Sequence, residues 1–162
     1  MSNGDFTGLI KVLADAGVEF VMVGGLAAIV RGSAHVTYDL DIVYRRTPDN
    51  IDRLAKALRP VNPYMRGAPA GLPFTFDVPT IQRGLNFTLT TTLGDLDVLG
   101  EIAGGGTYNS LITDSTSERA GDVPFRCVTL RCLIALKRAA GRPKDLDVLA
   151  GLEALLEETD RT

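Results

Sequence analysis

The sequence predicts an α/β (α+β) fold: a mixed β-sheet flanked by helices, with further helices at the C-terminal end. Three observations predict it. Short apolar, β-branched runs alternate along the chain with segments whose apolar residues recur at helical spacing. Glycine, proline and capping residues punctuate the boundaries between them. The length, 162 residues, suits a single domain over 1–162, and a chain of that size buries roughly two thirds of its unfolded surface without needing staples.

The elements follow in order. Phe6, Leu9, Ile10 and Leu13 mark a first helix over about 6–16, with Gly17 as its stop. Val18 to Val23 reads as a buried strand that Gly24 and Gly25 end, and Leu26 to Arg31 as a short helix. Asp39 to Tyr44 reads as a second strand, with Leu40, Ile42 and Tyr44 on one face and Asp39, Asp41 and Val43 on the other. Thr47 caps the next helix and Pro48 takes its first position; Pro60 and Pro63 end it. The Gly-, Pro- and Ala-rich stretch from Tyr64 to Pro73 reads as a loop.

Phe87 to Thr91 and Leu96 to Leu99 read as strands around a turn at Gly94, in which Asp95 is expected to lie. Gly104, Gly105 and Gly106 form a flexible connection before a short helix near Tyr108 to Leu111. Ser115 to Arg119 and Pro124 to Val128 pair around Gly121 and Asp122. Thr129 caps a helix through Ala140, Gly141 closes it, and Pro143 starts a last helix to about Glu157.

Composition narrows the function. The net charge is −3, so blanket electrostatic binding to nucleic acid is not indicated, although a local basic patch remains open. Cys127 and Cys132 match neither a metal spacing nor a disulfide framework, and read as reduced thiols. No basic start followed by an apolar run marks a signal peptide, and the longest apolar stretch is broken by Glu19, Gly24 and Gly25. The expectation is a cytoplasmic protein with no membrane association.

The chemistry concentrates in Val23-Gly24-Gly25 and in Asp39-Leu40-Asp41, with thirteen residues between Gly25 and Asp39. Carboxylates at i and i+2 of a strand project from one face, repel each other, and suit a divalent cation such as Mg²⁺ (or Mn²⁺). Paired glycines between a strand and a helix let the backbone approach a phosphate closely. A third carboxylate would complete a two-metal site. Asp97 is the best candidate, because apolar residues flank it, and Asp95, of the same parity, is its rival.

The remaining charged residues carry weaker signals. His35 reads as solvated. Arg45 and Arg46 end the Asp-x-Asp strand, within reach of a nucleotide or RNA. Arg131, Lys137, Arg138, Arg142 and Lys144 form the one basic cluster. Sharing a face with Asp41 would favour an RNA acceptor; facing away would favour a protein or a small molecule.

With these residues in hand, the sequence resembles the DNA polymerase β-like nucleotidyltransferase superfamily. Gly24, Gly25, Asp39, Asp41 and Asp97 match its Gly-Gly, Asp-x-Asp and third acidic positions. Within it the chain looks closest to the AbiEii and MenT-type toxin-like nucleotidyltransferases, through Thr37-Tyr38-Asp39-Leu40-Asp41-Ile42 and the segment from Leu136 to Leu146. The resemblance runs from about 18 to 152.

It implies the nucleotidyltransferase fold and transfer of a nucleoside monophosphate from an NTP to an acceptor hydroxyl. Asp39, Asp41 and Asp97 would be the catalytic metal ligands. Gly24, Gly25, Lys137 and Asp145 would form the nucleotide-binding set. The acceptor would be RNA, such as tRNA, or a protein, and a cognate antitoxin or a second copy would be the partner.

Two departures stand out. Leu26 follows the second glycine where many members carry Ser, so one hydroxyl contact to phosphate is missing. The toxins it resembles carry a larger helical C-terminal half beyond this core, so the expectation is that the acceptor surface is either missing or supplied by a partner or a second copy. The competing readings are AMP transfer to a protein or small molecule, and a non-catalytic partner-binding module with the same fold.

Overall fold

A computed structural model describes residues 4–161. Helix α1 (Phe6–Asp15) starts where the Asp5 carboxylate accepts from the Gly8 N–H and ends before Gly17, whose φ is +74°. Strand β1 (Phe20–Val23) runs into helix α2 (Gly24–Val30), which gives way to β2 (Asp39–Tyr44). Helix α3 (Pro48–Leu58) has Thr47 as cap and proline in its first turn, as the sequence indicates.

Strand β3 (Tyr64–Met65), helix α4 (Val78–Arg83), β4 (Phe87–Thr91) and β5 (Gly94–Leu99) come next. Two-residue strands β6 (Glu101–Ile102) and β7 (Gly106–Thr107) pair across the glycine run and precede α5 (Tyr108–Leu111). Hairpin β8 (Ser115–Ala120) and β9 (Val123–Val128) leads to α6 (Leu130–Ala140) and α7 (Pro143–Asp160).

Among the described residues the chain is thus mixed α/β, with seven helices and one seven-stranded sheet in the order β3-β4-β5-β2-β1-β9-β8. The sheet is mixed: β2 runs parallel to β5 and β1 parallel to β9, while the other neighbours are antiparallel. No helix among the described residues is long and apolar enough to cross a membrane.

Four expectations are corrected. Gly24 and Gly25 belong to the first turn of α2 rather than to a turn before it. The stretch from 64 to 73 is not all loop, because Tyr64 and Met65 pair with Thr90 and Leu89. Asp95 lies inside β5, opposite Thr90 and Asp39, not in the turn. Gly104 and Gly105 turn a small hairpin and Gly106 pairs with Ile102 in β7, so the glycine run is part of a paired element in place of the expected flexible connection. Helix α4 has no counterpart in the sequence reading; its cap is Asp77, which accepts from the Thr80 N–H, with proline in its first turn.

The parallel pair β2–β5 sorts the site from the core. Leu40 sits opposite Leu96 and Ile42 opposite Val98, and all four are fully buried. Burying each contributes about 1.5–3 kcal/mol. The alternate register positions, Asp39–Asp95 and Asp41–Asp97, place acids on the opposite face. Apolar packing on one side of two adjacent strands therefore fixes where their carboxylates stand on the other.

Candidate active site

Those four aspartates form a two-by-two grid, Asp39 and Asp41 on β2, Asp95 and Asp97 on β5. Three of them, Asp39, Asp41 and Asp97, each offer an oxygen within 4.8 Å of the others. All three line a cleft of about 490 Å³, together with Gly24, Gly25, Lys137 and Asp145. The structure thus gathers all seven sequence-predicted residues at one place. Asp95 does not line the cleft. Its parity matches that of Asp97, but its register places it one pair farther from Asp41.

Asp41 is the most perturbed group. Burial raises its carboxyl, and the neighbouring charges of Asp39 and then Asp97 raise it further. The Lys137 ammonium opposes these effects, and the net result is a pKa pushed up from 3.8 to about 8. Its Oδ1 is buried without a hydrogen-bond partner. A buried, unpartnered carboxylate oxygen beside two further carboxylates is a hard-oxygen donor set of the kind that suits Mg²⁺ or Mn²⁺.

Gly24 has a second reason to be glycine. Its φ is +73°, and a Cβ there would lie 2.1 Å from Asp41 Oδ2. A Cβ on Gly25 would meet Thr37 Oγ1 at 2.9 Å, and the Thr37 hydroxyl donates to both the carbonyl and the carboxylate of Asp39 at 3.2 Å. The two glycines therefore let α2 close down on the acidic pair.

The opposite wall is basic. Asp145, a buried carboxylate in the first turn of α7, accepts from Arg142 Nε at 2.6 Å and from Lys137 Nζ at 3.2 Å. Its hydrogen bond with Arg142 holds its carboxyl below the ordinary value, with Lys137 adding to this, against the cost of burial. Asp145 thereby ties α6 to α7 and aims Lys137 into the cleft, which Arg142 and Lys144 also line. The rest of the basic cluster is committed elsewhere: Arg131 pairs with Asp160 at 2.8 Å and Arg138 with Glu153. Arg45 pairs with Glu19 and lies over the Tyr108 ring, and Arg46 bonds the Tyr44 hydroxyl, so neither lines the cleft. His35 is exposed, as expected.

The residue that sequence reasoning missed is Arg66, which follows β3. Its guanidinium lies 2.7 Å from Asp97 Oδ1, 3.3 Å from Asp95 Oδ2 and 3.6 Å from Asp39 Oδ2. Its only signal in the sequence is one arginine in a Gly- and Pro-rich stretch. Searches against protein-family models and against curated proteins return no match for the chain.

Proposed function

We propose that this protein is a Mg²⁺-dependent nucleotidyltransferase that moves a nucleoside monophosphate from an NTP to an acceptor hydroxyl. The observation that supports it most is the convergence of Asp39, Asp41 and Asp97 with Gly24, Gly25 and the Lys137–Arg142–Lys144 wall on one cleft. Asp39 and Asp41 would hold two divalent ions and Asp97 one of them, and when bound these would neutralise the triphosphate and acidify the acceptor hydroxyl.

The chain's own residues carry the rest. Asp97 takes the proton of the acceptor hydroxyl as its oxygen bonds the α-phosphorus. The bond from the α-phosphorus to the bridging oxygen breaks, and pyrophosphate leaves. Lys137, Arg142 and Lys144 meet the phosphate charge as it shifts to the leaving group. Gly24 and Gly25 bring the backbone of α2 against the acids, where it lines the cleft and the phosphates would approach it.

RNA, tRNA ends among them, is the acceptor class we favour, because three of the five basic cluster residues share the cleft with Asp41. AMP transfer to a protein or small molecule is the second reading. It is favoured by Arg131 and Arg138, which are bound to acids of α7 and leave a narrow basic surface. A toxin–antitoxin role and a cognate partner rest on the sequence resemblance alone. Incubation with Mg²⁺, each α-labelled NTP, total RNA and a cell lysate tests the proposal. Label on RNA from wild type and not from Asp39→Ala/Asp41→Ala supports it. Label on protein supports the second reading, and no label on any acceptor counts against transfer.

A further inference from the structure

Arg66 occupies an unusual place. Its backbone N–H donates to the Thr88 carbonyl at 3.0 Å, anchoring it beside the sheet's short edge strand. From there the side chain reaches across β4 to β5, where Nη2 donates both to the Leu89 carbonyl and to Asp97 Oδ1 at 2.7 Å. One guanidinium thus faces three carboxylates of the grid, Asp39, Asp95 and Asp97. Its ion pairs are with Asp39, Asp95 and Asp97, and Asp41 is the carboxylate with the buried unpartnered oxygen. The remaining cationic wall, Lys137 and Arg142, approaches from the other side and is engaged with Asp145.

Two of the three carboxylates that Arg66 touches are also two of the three whose oxygens converge within 4.8 Å. A divalent cation among them would stand next to a fixed positive charge. Like charges that close repel even near a protein surface, and a divalent ion doubles the repulsion. The segment after it, from Gly67 to Pro73, is largely exposed, and Gly67 and Gly71 adopt positive φ, so the chain that carries Arg66 runs out to solvent.

We propose that Arg66 and a divalent cation are alternative partners of the same carboxylates, so that Arg66 sets how tightly the cluster takes its metal. The inference rests on the metal-binding reading of the site. In the metal-free protein Arg66 compensates the grid and holds Asp97; as the metal binds, the guanidinium gives up Asp39 and Asp97 and retains Asp95 and the Leu89 carbonyl.

The test is calorimetric titration of Mg²⁺, and of Mn²⁺ with free Mn²⁺ read by paramagnetic resonance. It uses the nucleotide-free full chain as wild type, Arg66→Gln and Arg66→Lys, with thermal unfolding in parallel. Removing the charge should tighten metal binding at least about tenfold, with Arg66→Lys, which keeps the charge but loses the fork, in between. Metal-free Arg66→Gln should melt below wild type and regain the difference at saturating Mg²⁺. Should Arg66→Gln not fold without metal, Arg66→Lys still has to bind more tightly than wild type. Equal or weaker binding by the variants, with wild type still binding metal, overturns the proposal and leaves the metal site standing. No binding by any of the three proteins overturns both.

Discussion

Asp41 on β2 and Asp97 on β5 are direct register partners of two parallel strands, and each offers a carboxylate oxygen within 4.8 Å of the other. That arrangement is costly for two ionised acids, and it makes Asp41 the group on which several measurable properties turn.

Asn at position 41 keeps the shape and polarity of a neutral carboxyl. Asp41→Asn should leave the metal-free melting temperature at pH 7 unchanged or raised, while abolishing any Mg²⁺-dependent rise. Thermal unfolding with and without Mg²⁺ checks both halves.

The pH dependence follows in sign. Between 3.8 and about 8 the folded protein keeps a proton on Asp41 that the unfolded chain has lost. Raising the pH through that window therefore favours unfolding, so this residue's contribution to metal-free stability should fall steadily from pH 4 to pH 8. Asp41→Asn should flatten that slope in urea titrations run across the range. Metal binding must expel the same proton, so Mg²⁺ affinity should rise toward pH 8 and binding should release a proton to the buffer.

Gly24→Ala forces a methyl group against the Asp41 carboxylate at a positive φ. A loss of about 1–3 kcal/mol is expected from the backbone conformation and the clash. Because Asp41 must move, Mg²⁺-dependent stabilisation should fall with it. Gly121→Ala, at positive φ with nothing within 4 Å and away from the cleft, is the control: it should cost stability without changing metal binding.

Asp145→Ala removes the buried acid that both Lys137 and Arg142 grip. Leaving Lys137 without its partner should cost about 2–4 kcal/mol in urea unfolding. Arg142→Ala should cost less, since Arg142 is half exposed and Lys137 still satisfies the carboxylate.

Much of this was legible in the residues themselves. Alternation around Leu40 and Ile42 puts Asp39 and Asp41 on one face, and the Thr47-Pro48 and Thr129 caps mark their helices, because these signals are local. What separates Asp97 from Asp95 is not local. The two share a parity, and only the pairing of β5 with β2, together with the position of α6 and α7, decides which faces the cleft. Arg66 was illegible for the same reason. Its role depends on a long side chain crossing a strand to acids far along the chain, and nothing in its neighbours in sequence encodes that reach. Helix α4 did leave a local signal, Asp77 followed by Pro79, that hydrophobic periodicity alone passes over in so short an element.

The most direct test of the central claim, that the Asp39–Asp41–Asp97 cluster is a metal–nucleotide centre, is calorimetric titration of ATP, GTP, CTP and UTP with and without Mg²⁺. Wild type and Asp39→Ala/Asp41→Ala would be compared. The proposal predicts that at least one NTP binds wild type only when Mg²⁺ is present, and that the double variant does not bind it. NTP binding that is indifferent to Mg²⁺ and to both substitutions, or no binding at all, would contradict it.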